Sequence, residues 1–598
     1  MADHPYYREH LAFLRDGGAA MANAYPRAAN RLARQGFDPD VERLLEGIAF
    51  ISSKITERQA ASVGDICQLL LDVLFPHYLC PIPSMATVEL SSDTPSVVPR
   101  GTEIWSVPVL GTQCRFRTAM DVAVGDLRIE ELKWEARGAS SHLTLEMSGE
   151  TWLRHGRGAR ARGVRSGGGR LADEQEAAFV LHLHGEPLIT YSLFEWLLTA
   201  LDSVELLGDR GRVIARLPAR LRARGLAEQE AMLDYPGGSF EGYRVLQEYF
   251  AFPERMLYVE VAGIWQALRQ QGISDRFTLR FNLNTERGGS FVVTGSNVRL
   301  GCTPVVNAFS HSADPILRDL AKIEYRVRPA GRHLHYEILR VEGVSGRTRR
   351  GATRDYSLLS ELDREGGGGF AQLRRGLFDG EVQTYMRISD GGELPPDDQI
   401  ILVDIVASNG QLPRALGVGD LTRLAQLGDG SPVPAALVAR NITAITMPVP
   451  FPLGEVLRLR LVSHLALTQR PLTELSALRD LLDLYNYRTI VDQQSARAHQ
   501  LLVDSLLEAQ SEAQQRLFAG TPISGELTTL LIDESVVGSG PEAFLLGCVL
   551  DEVIALATPL NVYSETHMRR SQRGDTLRWP RRLGPERLDD AEAREWES

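Results

Sequence analysis

Two pairs of histidines are the first residues in this chain whose spacing suggests chemistry. His182 and His184 sit in FVLHLHG, an alternating run that predicts a strand, so both side chains face one way. Such a pair ligates a metal when a carboxylate or a third histidine joins it. His333 and His335 repeat the spacing. No His-x-x-x-His or helical Glu-x-x-His accompanies either pair, and the same pattern suits two histidines on the polar face of a half-exposed strand. A second candidate is the basic run Arg154, Arg157, Arg160, Arg162 and Arg165, which ends in Gly167 to Gly169 and Arg170. It can grip an acidic partner or remain a solvated loop. Only Trp152 lies nearby to stack on a base, which argues against a nucleic-acid platform. Nucleotide-binding and hydrolase signatures are missing: there is no G-x-x-x-x-G-K-[ST], no G-x-G-x-x-G between strand and helix, and no G-x-S-x-G. The residues therefore nominate no catalytic group, no cofactor site and no metal site, and the expectation is a protein that is not an enzyme.

Composition narrows the class further. Hydrophobic residues make up 43% and charged residues 24% of 598 positions, which is ordinary for folded, soluble domains. The net charge of -12 opposes a nucleic-acid partner, because a duplex binder must neutralise phosphates. Cys67, Cys80, Cys114, Cys302 and Cys548 are far apart and form no Cys-x-x-Cys, so buried thiols in a reducing compartment are expected. MADHPYYREH has no basic region followed by an apolar stretch, and the longest apolar runs, such as Phe544 to Leu550, fall far short of the ~20 residues that span a bilayer. A cytoplasmic location without direct membrane insertion is the expectation.

The elements that would position these residues fall into four segments. Residues 1–85 read as helical: Val41, Leu44, Leu45, Ile48 and Ile55 follow the i, i+3, i+4, i+7 rule, with Asp38 and Pro39 as start signals. A second helix from Asp65 to Phe75 is apolar on most of its circumference, so it must be covered by this chain or another one. Residues 86–300 switch to short alternating runs (ATVELSS, HLTLEMS, FVLHLHG, FTLRFNLN), interrupted by a helix over Ser192 to Val204. Residues 301–470 continue with KIEYRVRP, LHYEILRVEGV and QIILVDIVAS, and with a mobile loop at Gly366 to Gly369. Residues 471–598 return to a helical period at Leu472, Leu475, Leu478, Leu482 and Tyr485, with another helix from Glu542 to Ala557 and a charged tail. The composition of Leu501 to Phe518 favours a helix. The fold class is α+β, elongated and multidomain: an N-terminal helical region, β-rich middle domains and a mixed α/β C-terminal domain.

VERLLEGIAFI (Val41 to Ile51) followed by LLLDVLFPHYLCPIPSM (Leu69 to Met85) resembles the N-terminal signature of the TssF family, baseplate wedge proteins of type VI secretion. HPYYREHLAFLRDGGAAMANAYP (His4 to Pro26) is similar to that family's first segment. Arg100-Gly101-Thr102 with CRFRT (Cys114 to Thr118), LVSHLALT (Leu461 to Thr468), ALRDLLDLYN (Ala477 to Asn486), and FLLGCVLDEVIAL (Phe544 to Leu556) with Arg578-Trp579-Pro580 match in order. Thr468 and Cys80 depart from the family's pattern, and the region around 357–376 is glycine-rich and aligns poorly. The resemblance implies a scaffold that joins TssG, TssK and TssE around the VgrG spike, together with other copies of itself, docked at the inner membrane through partners. It also implies that Leu501 to Phe518 is a strand. On that reading the candidate interface residues are Tyr6, Tyr7, Leu11, Leu14, Leu44, Leu45, Ile48 and Tyr78. Two rival readings are a wedge protein of a contractile phage tail and a metal-dependent enzyme using the histidine pairs.

Overall fold

The computed structural model describes residues 5–25, 39–137, 140–155, 178–208, 211–218, 221–235, 240–285, 292–319, 321–359, 368–376, 382–391, 399–426, 436–451, 459, 462–463, 465–467, 472, 474–485, 493–518, 521–536, 540–559, 561–583 and 586–587. Helix α1 spans Pro5–Ala24 and packs along helix α2, Pro39–Leu74. The expected second helix is thus the continuation of the first. No proline interrupts residues 56–64, and Gly64 costs a helix interior only about 1 kcal/mol, which the docking of the far end offsets. Pro76 follows the helix, and Pro76–Leu79 turn as one 3-10 unit.

Between residues 85 and 441 the described strands pair antiparallel, except Thr353–Leu358 with Gly369–Gly376, and helices interrupt them. Strand β1, Met85–Ser91, lies between Cys302–Val306 and Val438–Asn441, and the same sheet holds Glu103–Val109, Thr112–Thr118 and Leu421–Gln426. Residues on both sides of position 300 therefore share one sheet, since antiparallel pairing sets no limit on sequence separation. Strand β2, Arg128–Arg137, is the edge of a second sheet whose next strand, Ser140–Ser148, buries Leu143, Leu145 and Met147 on one face. A third sheet contains Phe179–Leu183 and Tyr258–Val261. A fourth runs Ile400–Ser408, Glu337–Arg347, Thr353–Leu358, Gly369–Gly376, Val382–Ser389, Glu324–Val327. The loop expected at Gly366 to Gly369 lies partly outside the described residues, and Gly369 opens a strand opposite Ser389.

Helix α3 is Pro187–Thr199, so the stretch read as helical to Val204 gives way to the strand Leu201–Leu207. Helix α4 is Glu241–Ala251. The C-terminal part adds α5, Leu475–Leu484, and α6, Gln493–Asp504. Residues 506–518 then form strand β3, Leu506–Phe518, paired antiparallel with β4, Thr521–Ile532. The strand implied by the resemblance for Leu501 to Phe518 is present from Leu506 on, Leu501 to Asp504 remaining helical in α6, and from Leu506 the pairing with β4 overrides the helical composition. Strand β5, Tyr563–Arg570, runs parallel to β4, and the crossover between them is helix α7, Gly540–Ala557. Helix α7 buries residues all round its axis against α3 and α4. The indole of Trp579 stacks on Phe544, rings 5.7 Å apart, and a Cβ at Gly547 would lie 2.4 Å from it, so only glycine fits there. One apolar core runs from Leu71 through α3 and α4 to α7, Met568 and Leu577.

Candidate partner interface

The candidate surface is built on α2, and its two ends are held differently. Near its start, α1 covers one side: Ala49 and Ser53 are sealed beneath it, Leu11 is buried, His10 meets Thr56 at 2.7 Å and Arg15 Nε donates to Glu42 at 2.9 Å. Near its end, Asp65 accepts from Arg375 and Arg387 at 2.8 and 2.7 Å. Glu324 takes the other side of Arg375 in a two-pronged pair, and this contact holds its carboxyl below the usual range. Gln68 clamps the strand backbone: its amide donates to the Arg374 carbonyl and accepts from the Arg374 N–H, both at 2.7 Å. Leu71 is fully buried.

Between and beside those contacts an apolar stripe stays open. Leu44, Ile48, Ile51 and Ile55 recur at steps of three and four, Ile66, Leu70 and Val73 do so again eleven residues on, and all seven are 46–67% exposed. At 1.5 Å per residue the stripe runs for about 44 Å along one face. On α1, Phe13 and Met21 are also open. Single exposed apolar residues need no explanation, but two such groups at helical spacing on one face make a candidate docking surface. Covering it would contribute on the order of 10 kcal/mol before the costs of association.

Of the residues nominated from the sequence, Leu44 and Ile48 lie on this stripe. Tyr6, Tyr7, Leu14 and Leu45 are half-buried, and Leu11 is closed by the α1–α2 contact. Tyr78 is a correction. It is buried and its hydroxyl donates to the Leu484 carbonyl at 3.1 Å, beside His77, whose Nε2 meets Tyr485 OH at 2.9 Å. The proline-rich connector turns that ring inward, where the aromatic cluster with Tyr243 and Tyr485 takes it up. Ile51, Ile66, Leu70 and Val73 were not nominated, although the three-four spacing continues through them.

The histidine pairs do not converge on a site. His182 is buried, not on a polar face; it stacks on Tyr258 with ring centres 4.4 Å apart, and burial pushes its pKa down to about 3. His184 is half-buried, its ring 6.1 Å from that of His182. His333 and His335 fall in a 3-10 turn, with His335 Nδ1 at 2.6 Å from Thr112 Oγ1. Among the described residues no group of three or more His, Cys, Asp or Glu could hold a metal. Of the arginine run, Arg157 to Arg170 lie outside the described residues, as does the Arg154 side chain. Cys114, Cys302 and Cys548 are buried, Cys67 and Cys80 half-buried, and all five are free.

A cavity of about 40 Å³ lies where α2 meets the fourth sheet, lined by Gln68, Asp72, Cys80, Tyr235, Arg374 and Phe451. That volume suits a water or two, far below a substrate pocket. Burial pushes the Asp72 carboxyl up to about 6, against the pull of Arg374.

Nearly the whole chain, from residue 3 to 586, matches the family model described as "Type VI secretion system, TssF". The chain belongs to this family. It is 30% identical to the type VI secretion system component TssF1 of Pseudomonas aeruginosa, over 97% of this chain and 98% of that protein. The TssF fold is shared with a chain from the cryo-electron-microscopy structure of a type VI secretion TssK-TssF-TssG baseplate subcomplex: TM-score 0.75 at 24% identity, covering 92% of this chain and all of that one. A chain in another structure of the type VI baseplate complex aligns with TM-score 0.55 at 22% identity, over 98% and 99% of the two. No helix among the described residues of this TssF family member is long and apolar enough to cross a membrane.

Proposed function

We propose that the chain works as a structural baseplate subunit whose α2 stripe is covered by a neighbouring protein, TssG, within an assembly that also contains TssK. The observation that carries this reading is the open apolar row, Leu44 to Ile55 and Ile66 to Val73, on a helix that α1 and the fourth sheet hold from another side. One structure it resembles in fold is of a TssK-TssF-TssG baseplate subcomplex, which supports those two partners, and another is of a type VI baseplate complex. TssE, the VgrG spike and further copies of this chain belong to the same proposal, as does a cytoplasmic position docked at the inner membrane through partners. The work done is conformational: rearranged contacts between subunits pass from the spike side to the contractile sheath. Family membership favours secretion over a phage tail. To test it, the chain carrying Leu44→Asp and Ile51→Asp is co-expressed with its cognate TssG. Capture of TssG by the native chain, and its loss in the double variant, is the expected result. Undiminished capture would overturn the assignment of the stripe.

A further inference from the structure

The molecule has a second surface lacking cover, at the opposite end of the sequence. Strand β3 is 13 residues long, against about 5–6 for an ordinary strand, and it is the edge of its sheet. Helix α5 caps its base, where Arg479 donates to the Leu506 carbonyl at 3.1 Å. From Leu507 to Leu517 every residue is exposed or half-exposed, and among the described residues no strand other than β4 pairs with it.

Edge strands normally carry devices against further pairing. Strand β2, also an edge, carries them: Arg128, Glu130, Glu131, Lys133, Glu135 and Arg137 crowd ten residues, with a bulge at Ile129/Glu131. Strand β3 has no proline or glycine, its bulge sits at its base between Leu506 and Glu508, and its exposed part carries only Glu508, Glu512 and Arg516. Its middle is alanine, glutamine and serine. This row of backbone donors and acceptors is left open to another strand.

The charges indicate which strand. Resting on the proposed reading in which further copies of this chain meet in the assembly, we infer that β3 pairs antiparallel with β3 of a second copy, centred on Gln514. In that register Glu512 lies opposite the second copy's Arg516, and Arg516 opposite its Glu512, so the two-fold axis makes the contact twice. Centring on Glu512 or Arg516 sets a charge against itself. Centring on Gln510 sets Glu508 against Glu512, and parallel in-register pairing repeats every like charge. No other antiparallel register joins both opposite pairs without opposing like charges. Within its own chain, Arg516 donates to the neutral Gln514 side chain at 3.3 Å and reaches the carboxylate of Glu565 only at 3.9 Å, so its charge is weakly paired.

The test is a cross-link in the full-length chain. Residues directly opposite in an antiparallel pair have Cα atoms about 4.5–5.5 Å apart, within disulfide reach. Under mild oxidation Gln514→Cys should form a covalent dimer at least tenfold faster than Glu508→Cys, whose counterpart lies about 40 Å along the strand. The native chain, with its own five cysteines, is the background control. In the Gln514→Cys chain, Glu512→Arg or Arg516→Glu alone should slow the cross-link severalfold, and the two together should restore it. A Gln514→Cys chain that links no faster than Glu508→Cys, or charge reversals without effect, would overturn the inference. TssG capture is measured on the same variants. Capture retained without a cross-link rejects β3 pairing alone, whereas capture absent from the native chain rejects the proposed function.

Discussion

Helices α2 and α7 are both rich in leucine, isoleucine and valine, yet their surroundings are opposite. Helix α7 is enclosed by α3, α4 and the C-terminal sheet, and even its acids are answered: Asp551 and Glu552 both pair with the buried Arg582. Helix α2 is clamped at polar points, through Asp65 and Gln68, while its apolar row faces outward. Apolar content shows that a helix wants cover, and the fold shows whether the chain itself provides it. Where it does, the helix is core; where polar clamps hold the helix and leave its row bare, on the proposed reading the cover comes from a partner.

The largest effect is expected in α7. Arg582→Met leaves Asp551 and Glu552 buried without their cation, and should cost the isolated chain about 3–5 kcal/mol in denaturant unfolding. An unchanged midpoint would mean that α7 is less enclosed than described. Next comes a matched pair of truncations. Leu550→Ala should lose about 2–5 kcal/mol of the chain's own stability, whereas Ile51→Ala should shift it by less than about 0.5 kcal/mol and weaken TssG capture instead. Equal losses in both would erase the distinction. The smallest effect lies at the docked end of α2. Folded Asp72 keeps its proton to about pH 6 while the unfolded chain releases it near pH 4, so this group's contribution is full below pH 4 and is lost as pH rises through 6. Thermal melts of Asp72→Asn should show a flatter pH dependence over that window. An unaltered profile would remove Asp72 from the account.

Much of this was legible beforehand because local periodicity reports burial. HLTLEMS and FTLRFNLN alternate and are strands; Leu478, Leu482 and Tyr485 recur at helical spacing and are buried in and just beyond α5. Two of the seven residues of the candidate surface, Leu44 and Ile48, were visible for the same reason, since they belong to a readable stripe. Periodicity is silent about neighbours, however. It could not say that β1 pairs with residues 302–306 and 438–441, that Tyr78 turns toward Tyr485, or that His182 lies sealed against Tyr258. Residues 506–518 mislead by composition because glutamate, alanine and glutamine are good helix formers, and only the pairing with β4 makes them a strand.

The residues by themselves settle the strongly periodic helices and strands, that the chain carries no nucleotide-binding or hydrolase motif, and which family it resembles, because these follow from spacing and short motifs. Tertiary structure alone decides which apolar faces remain open and which edges lack a partner. Exposure is a property of what packs against a surface: for α2 that depends on strands hundreds of residues away, and for β3 on its having a single pairing partner.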